Sequence, residues 1–160
     1  MTSVFLVMET VRILPFSDTL APYFLTINRE WIETHFSMEP FDVAQLQTPR
    51  ETIINPGGEV LFAEWKGAIV GTVGMKNMGD GQYELIKMGV LPKARGQQVG
   101  WLLGQAALNW AKQNGAKKVL LYSNSILAPA LALYRKLGFR EIPMEPGTYQ
   151  RCDIKMEYIF

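Results

Sequence analysis

The stretch "VLPKARGQQVGWLLGQAALNWAKQNG", residues 90–115, decides the fold because it joins a basic, glycine-rich turn to a strongly amphipathic segment. It contains three glycines spaced four residues apart, Gly96, Gly100 and Gly104. From Val99 onward apolar residues recur at helical spacing, which predicts a helix that ends at Gly115. The first turn of such a helix has unpaired N–H groups, and glycine lets a ligand approach them closely.

Several interpretations of these glycines compete. A Rossmann fingerprint needs G-x-G-x-x-G, and a nucleotide-hydrolase loop needs Gly-Lys-Ser/Thr; neither pattern is present. A membrane dimer face is disfavoured by the polar residues within the segment, Gln98, Gln105 and Asn109. Two interpretations remain. The helix mouth binds phosphate, with Arg95 adding charge, or Gly100 and Gly104 let the helix lie close to a sheet.

Length and composition indicate an ordinary globular chain. Its 160 residues are 48% hydrophobic and 19% charged, which suits one compact domain. The net charge of +1 gives no electrostatic reason to expect nucleic acid or a membrane surface as partner. A single cysteine, Cys152, excludes an internal disulfide and favours the cytoplasm. Residues 1–9 are interpreted as a possible N-terminal extension, too short for a secretion signal, and residues 10–160 as a single domain.

Periodicity and turn residues predict the secondary structure. Strands are expected at Thr10–Leu14, Glu59–Lys66, Ala68–Lys76, Tyr83–Leu91, Lys117–Ser123, Phe139–Ile142 and Cys152–Ile159. Helices are expected after a cap at Ser17 or Asp18, from Asp42, from Val99, and from Pro129 to Gly138. The order predicts an α/β fold, with an antiparallel meander before the glycine helix and helices on the faces of a mixed sheet.

Three segments resemble the GNAT superfamily of N-acetyltransferases. Arg95–Gly100 resembles its acetyl-CoA-binding pattern Arg/Gln-x-x-Gly-x-Gly/Ala, with Gln98 at the first patterned glycine. "APALALYRKLGFRE", residues 128–141, is similar to the family's A-x-x-L-Y-x-K-x-G-F, and "YELIKMGV", residues 83–90, to its central strand. The family often has Asn three residues before the alanine of the second motif, and this chain has Leu127 there. Asn124, three residues earlier, could instead contact the cofactor or the acceptor.

The resemblance implies a GNAT fold, with a mixed and mostly antiparallel sheet of about six to seven strands. It also implies direct transfer of an acetyl group from acetyl-CoA to a primary amine within a ternary complex. The cofactor-binding residues that it implies are Met88, Gly89, Val90, Arg95, Gly96, Gln97, Gln98, Val99, Gly100, Trp101, Asn124 and Tyr134.

Two side chains are candidates for proton transfer. An amine with a pKa near 10.4 is protonated at neutral pH, so its attack on a thioester needs a base or a water-linked proton path. Glu84 matches the acidic position on the family's central strand and is the candidate base. Tyr134 matches the tyrosine that protonates the departing thiolate in the family, although a core aromatic would also fit its helix. The backbone of Met88–Val90 would pair with the pantetheine arm and donate to the oxyanion.

Three other residue types are expected to play no chemical role. His35 is the single histidine and lacks partners at metal spacing, so no metal site is predicted. Cys152 lies in a strand-like run without a histidine nearby, which favours a buried structural thiol. Trp31 and Trp110 fall at helical spacing with apolar neighbours, which favours core packing.

The sequence says least about the acceptor substrate. The family usually binds it between the first two helices and the later loops, here Asn28–Phe41 and Met144–Gln150. Four acidic residues hint at a cationic amine or form a solvated face, namely Glu30, Glu33, Glu39 and Asp42. A small amine, an amino acid, an antibiotic and a protein lysine all stay open as acceptors, as does a homodimer. A non-catalytic module that senses CoA or acyl-CoA is the alternative function, and a nucleotide-binding protein is a more distant one.

Overall fold

The computed structural model describes residues 10–145 and 151–160. The predicted extension, residues 1–9, lies outside the described residues, as do residues 146–150 of the predicted acceptor region. The strands are β1 (Arg12–Leu14), β2 (Glu59–Trp65), β3 (Ala68–Gly79), β4 (Gln82–Val90), β5 (Lys118–Ser123), β6 (Arg140–Ile142) and β7 (Ile154–Ile159). The α-helices are α1 (Ala21–His35), α2 (Pro40–Gln47), α3 (Val99–Gln113) and α4 (Ala128–Leu137).

The seven strands form one mixed sheet in the order β1-β2-β3-β4-β5-β7-β6. Only β4 and β5 pair in parallel; the other neighbours are antiparallel. The predicted α/β fold with a mixed, mostly antiparallel sheet is therefore confirmed. The meander is also confirmed, with tighter turns than expected. Asp80 and Gly81 alone turn β3 into β4, both at positive φ, as a two-residue Asp-Gly hairpin requires.

The helix starts differ from the predicted ones. Neither Ser17 nor Asp18 caps α1; the N-cap is Leu20, and Ser17 accepts the N–H of Ala21 through its carbonyl oxygen. Asp42 does not open α2 but sits one turn inside it, where its carboxylate and that of Glu39 form a capping box. A π-helical turn at Arg50–Ile54 follows and had no predicted counterpart.

Helices cover both faces of the sheet. On one face, α3 and α4 bury Leu103, Ala107 and Leu131 against the strands. On the other face, α1 and α2 bury Phe24, Ile32, Leu46 and their neighbours against Val60 and Phe62 of β2. Burial on both faces explains why the central strands are continuous apolar runs rather than alternating ones.

The pair β4 and β5 separates partway along the sheet. Their parallel pairing covers Gln82 to Glu84. Beyond it β4 stays paired with β3, but a bulge interrupts that register, and Lys87 within the bulge takes a φ of 51°. Because a bulge bends its strand and increases the local twist, the second half of β4 leaves β5 and a cleft opens between them.

The glycines of α3 pack the helix against α4. A Cβ at Gly100 would lie 2.9 Å from Leu133 Cδ2, and one at Gly104 would collide with Leu137 Cδ1. The expectation of close packing is right, but the partner is helix α4 and not the sheet. The close approach of α3 to the sheet comes instead from Gly71, whose absent Cβ makes room for Leu103 and Val99.

Filling the gap at Gly104 should separate the two helices. We expect Gly104→Val to lower the free energy of unfolding by about 2 to 3 kcal/mol, because Leu137 is buried and cannot move aside. Asn109→Val on the exposed side of the same helix is the control, since it carries the same β-branched side chain without the collision. Urea denaturation measures both. Equal stability of the two variants would contradict the packing role of Gly104.

Candidate active site

A cleft of about 700 Å³ occupies the space between the separated strands. Its walls come from β4, from the end of β5, from the start of α3, from α4, and from the α1–α2 segment. The predicted site residues that line it are Glu84, Met88, Gly89, Val90, Arg95, Gly96, Gln98, Val99, Gly100, Trp101, Asn124 and Tyr134. Gln97 is exposed and is not part of the lining. One cleft thus gathers residues from four separate elements.

The mouth of α3 forms one end of the cleft. A 3-10 turn at Pro92–Ala94 leads into Gly96 and Gln98, both in the left-handed region, with φ of 84° and 60°. Gln98 is the N-cap residue and makes no side-chain cap to the first turn. The first N–H groups of the helix therefore lack intrahelical partners at its positive end, and this end of the cleft suits an anion.

Two cations lie beside this mouth. Arg95 is exposed, and its Nη2 lies 3.8 Å from Glu30 Oε2. Lys136 on α4 places its Nζ 4.9 Å from the centroid of the Trp101 ring. Sequence reasoning assigned no role to Lys136, although it stands within the quoted α4 motif. Its charge adds to the positive potential at the start of α3.

The free edge of β4 forms the floor of the cleft. Met88, Gly89 and Val90 follow the bulge, and no described strand pairs with them on the β5 side. Gly89 allows α1 to approach, since a Cβ there would lie 2.9 Å from Trp31 Cδ1. Trp31 is half-buried and lines the cleft, so it is more than the core residue that was predicted. Trp110 is packed edge-on against the Tyr83 ring, 5.6 Å between centroids.

The two proton-transfer candidates line the same cleft. Glu84 is 4% exposed and is the last β4 residue paired with β5. Tyr134 is half-buried on α4. Burial, together with the charge of Cys152, raises the pKa of Tyr134 to about 12. The phenol is therefore fully protonated at neutral pH, which is the state that a proton donor needs.

Cys152 is not the buried structural thiol that the sequence predicted. It is only partly buried and lines the cleft, just before β7 begins at Ile154. Burial raises the pKa of its thiol, and the carboxylates of Glu84 and Asp153 raise it further, although Arg151 and Lys87 oppose them. The thiol is thus protonated at neutral pH and lines the same cleft as both proton-transfer candidates.

Asn124 is occupied by the chain itself. Its Nδ2 donates to the carbonyl oxygen of Arg151 at 2.7 Å, and its Oδ1 accepts from the N–H of Ile126 at 2.9 Å. These bonds hold the β5–α4 connection against the start of the last strand. Asn124 lines the cleft, but both polar atoms of its side-chain amide already form hydrogen bonds within the fold.

An ion cluster closes the end of the cleft opposite α3. Asp42 on α2 is 1% exposed and accepts from Lys87 Nζ at 2.6 Å. Arg151 binds the same carboxylate through both terminal nitrogens, with Nη1 2.6 Å from Oδ2. The cluster joins α2, the β4 bulge and the segment before β7. Sequence reasoning missed Lys87 and Arg151, because their partner lies 45 and 109 positions away in the chain.

The four acidic residues noted in the sequence do not present free carboxylates to the cleft. Asp42 is neutralised within the ion cluster, and the Glu39 side chain accepts from the first turn of α2. Glu30 and Glu33 lie 3.8 Å from Arg95 and Arg29 respectively. These partners remove the sequence-based reason to expect a cationic acceptor.

The described part of the chain has no cluster of three or more His, Cys, Asp or Glu side chains placed to hold a metal ion. Among residues 10–145 and 151–160, no helix has the length and hydrophobicity that a membrane crossing requires.

Comparisons with known proteins agree with this geometry. The model of the acetyltransferase (GNAT) family matches residues 23–139. A mycothiol acetyltransferase of Saccharomonospora viridis is 32% identical over 127 aligned residues, which cover 74% of this chain and 42% of that protein. The uncharacterised N-acetyltransferase YjgM of Escherichia coli K12 is 31% identical over 106 residues, 63% of this chain and 64% of its own. The chain thus spans less than two thirds of either relative.

Solved structures share the fold. A GNAT-family acetyltransferase of Staphylococcus aureus Mu50 superposes with a TM-score of 0.83 at 18% identity, covering 94% of this chain and 99% of that one. The PaiA N-acetyltransferase of Thermoplasma acidophilum, solved in complex with coenzyme A, superposes with a TM-score of 0.74 at 16% identity, covering 94% and 99%.

The left-handed φ of Gln98 predicts that glycine is the better residue there. A non-glycine residue in this region is strained by about 1 kcal/mol or more. We expect Gln98→Gly to leave the free energy of unfolding unchanged or raised, because relief of strain offsets the extra entropy of the unfolded chain. Gln97→Gly, next to it and without a left-handed φ, should lower that free energy by about 0.5 to 1 kcal/mol. Equal losses in the two variants would contradict the strain at Gln98.

The ion cluster predicts a pH dependence of stability. Burial alone would raise the pKa of Asp42, but hydrogen bonds from Arg151 and Lys87 lower it to about 2, from an ordinary value of 3.8. A lowered pKa stabilises the fold above pH 4, and this contribution is lost as the pH falls from about 4 to 2. Asp42→Asn should therefore be less stable than wild type by about 2 kcal/mol at pH 7, with the gap closing toward pH 2.

The control for this pH dependence is Asp80→Asn in the exposed β3–β4 turn. Thermal unfolding at several pH values compares the two variants with the wild type. A difference between Asp42→Asn and wild type that is constant from pH 7 to pH 2 would contradict the linkage.

Proposed function

The chain belongs to the acetyltransferase (GNAT) family, and from that membership we propose that it transfers an acetyl group from acetyl-CoA to a primary amine. The observation that carries the proposal is the cleft between β4 and β5. It combines an anion-binding helix mouth, a free strand edge and two proton-transfer candidates within one space.

The residues at the α3 end fit the donor. The N–H groups of Gln98 to Trp101 and the left-handed turn at Gly96 suit a pyrophosphate, and Arg95 and Lys136 add charge. The edge of β4 from Met88 to Val90 offers backbone groups that a pantetheine amide can pair with, as an added strand would. When bound, acetyl-CoA supplies a thioester whose carbonyl carbon an amine can attack.

Glu84 takes the role of base in this proposal. Its carboxylate lines the cleft at the point where the strands part, and it accepts a proton from the acceptor ammonium, directly or through water. A backbone N–H of the Met88–Val90 edge donates to the acetyl oxygen as charge develops there. Both groups come from β4, so one strand positions the base and the oxygen-binding donor.

Tyr134 takes the role of acid. Its hydroxyl keeps its proton at neutral pH, and it can give that proton to the coenzyme A sulfur as the thioester bond breaks. Direct transfer also agrees with the state of Cys152, because a raised thiol pKa leaves little thiolate to act as a nucleophile. No acetylated enzyme is needed when the amine and the donor occupy the same cleft.

Tyr134→Phe tests the proposal. We expect acetyl-CoA affinity, measured by calorimetric titration, to stay within a few-fold of wild type. Turnover, measured as CoA release with an amine acceptor, should fall by roughly a hundredfold, the usual scale for a positioned general acid. Folding stability should change by about 1 kcal/mol at most, because only a hydroxyl is removed.

Tyr158→Phe is the matched control. Both tyrosine rings contact Phe139, with centroid distances of 6.2 Å for Tyr134 and 5.7 Å for Tyr158, but Tyr158 lies outside the cleft lining. Its turnover should equal that of wild type. If Tyr134→Phe turned over at the wild-type rate, Tyr134 could not be the general acid. Tight acetyl-CoA binding without transfer to any amine would favour the CoA-sensing module instead.

A further inference from the structure

The ion cluster at the α2 end of the cleft has two cations for one carboxylate. Lys87 and Arg151 both bind Asp42, and the side chains of both line the cleft with exposed fractions of 11% and 18%. One carboxylate within hydrogen-bond distance neutralises one of them. Glu39 also acts on Arg151, but its side chain accepts from the first turn of α2, so within the described residues the two cations share Asp42 as their hydrogen-bonded carboxylate.

Arg151 keeps one edge of its guanidinium available. Its hydrogen bonds to Asp42 use Nη1 and Nη2, and Nη1 also reaches the Ser37 carbonyl oxygen at 3.4 Å. Within the described residues, Nε and the second hydrogen of Nη2 donate to no group. Those two N–H vectors are parallel and form the second fork with which a guanidinium binds a carboxylate.

Aromatic rings hold both cations in place without neutralising them. The Phe36 centroid lies 5.8 Å from the Arg151 guanidinium carbon, and the Phe41 centroid lies 5.9 Å from Lys87 Nζ. The rings attract the cations through their quadrupoles and shield them from water. A charge held in this way binds an incoming anion more strongly than a solvated one does.

The cations lie near the proposed chemistry. Lys87 follows Glu84 by three residues on β4, a separation of roughly 10 Å or less along a strand. Cys152 follows Arg151 in the chain and lines the same cleft as Glu84, Lys87 and Tyr134. This end of the cleft thus has one carboxyl group, Glu84, and two cations, Lys87 and Arg151, with Lys87 three residues from Glu84 on β4.

We propose that the acceptor is a free amino acid, whose carboxylate binds to Arg151 and Lys87 while its amine faces Glu84. The inference rests on the proposed acetyl transfer and names the substrate class of that site. In the reaction the amine nitrogen forms a bond to the acetyl carbon and the carbon–sulfur bond breaks. The ammonium loses one proton to Glu84 before the attack and a second one as the amide forms. The coenzyme A sulfur receives a proton from Tyr134, and the second amine proton restores the phenol. The carboxylate takes no part in these bonds and only positions the amine.

Matched acceptors test this without any variant. CoA release is measured with acetyl-CoA and phenylalanine, phenylalaninamide or phenethylamine, and with the same trio built on leucine and on glutamate. We expect kcat/KM to be about a hundredfold higher for at least one amino acid than for its amide and its decarboxylated amine. The amino group of the amide is less basic than that of the amino acid, so a larger fraction of it is neutral. Intrinsic reactivity alone would therefore favour the amide. A preference for the acid must therefore come from binding of the carboxylate.

Arg151→Lys and Lys87→Gln test the residues. Arg151→Lys keeps a cation beside Asp42 but loses the planar fork. Each variant should raise KM for the preferred amino acid by about thirtyfold with kcat within a few-fold, and kcat/KM for the amide should fall much less, so that the preference for the acid over its amide is lost. Lys66→Gln is the control, because Lys66 also has a left-handed φ and an aromatic neighbour but lies in the β2–β3 turn, away from the cleft. Thermal unfolding verifies that each variant is folded.

Three results would overturn the inference. Equal kcat/KM for acid, amide and decarboxylated amine would refute it and leave the acetyl transfer intact. A higher kcat/KM for O-phosphoethanolamine than for β-alanine would show that the two cations bind a phosphate group and not a carboxylate. Acetyl-CoA binding without CoA release for any acceptor would refute the proposed function, and with it this substrate class.

Discussion

The short parallel pairing of β4 with β5 is the constraint from which the site follows. β5 is held by β7 along its whole length, from Lys118 to Ser123, whereas β4 pairs with it only as far as Glu84. The bulge at Lys87 then turns β4 away while keeping it bonded to β3. A sheet in which both strands stayed paired would have no cleft and no free backbone edge. Glu84 lies at the point of separation, so the candidate base is held by the last shared pairing of the two strands.

The ion cluster around Asp42 contributes more to geometry than to net stability. Removing two cations and a carboxylate from water is costly, and their attraction in a partly buried setting roughly offsets that cost. Its particular effect is to connect three chain segments that have few other contacts: α2, the β4 bulge and the start of β7. The shape of the acceptor end therefore depends on charge pairing, while the donor end depends on backbone groups and close helix packing.

Sequence predicts the parts of this structure that are encoded locally. The periodicity of α3, the Asp80–Gly81 turn and the two quoted motifs lie within short windows, and they predict the fold class and the residues that line the α3 end of the cleft. The acceptor end could not be predicted in this way. Arg151 meets Asp42 across 109 positions, and Cys152 faces the cleft because β7 begins two residues later than its apolar pattern suggests. Such contacts depend on topology, and a single sequence contains no periodic signal for them.

The two interpretations of the α3 glycines concern different sides of one turn, and close packing is the one that the structure shows. Side chains of a helix point sideways and backward, whereas its first N–H groups point along the axis. Gly100 can therefore pack against Leu133 while its N–H stays directed at the cleft. Leu133 immediately precedes Tyr134, so the distance that Gly100 permits between α3 and α4 also fixes how far the phenol lies from the helix mouth. A larger residue at Gly100 would move the candidate acid away from the start of α3 even if the first N–H groups of the helix were unchanged. The absence of a side chain at Gly100 thus sets both the packing of α3 against α4 and the position of the Tyr134 hydroxyl.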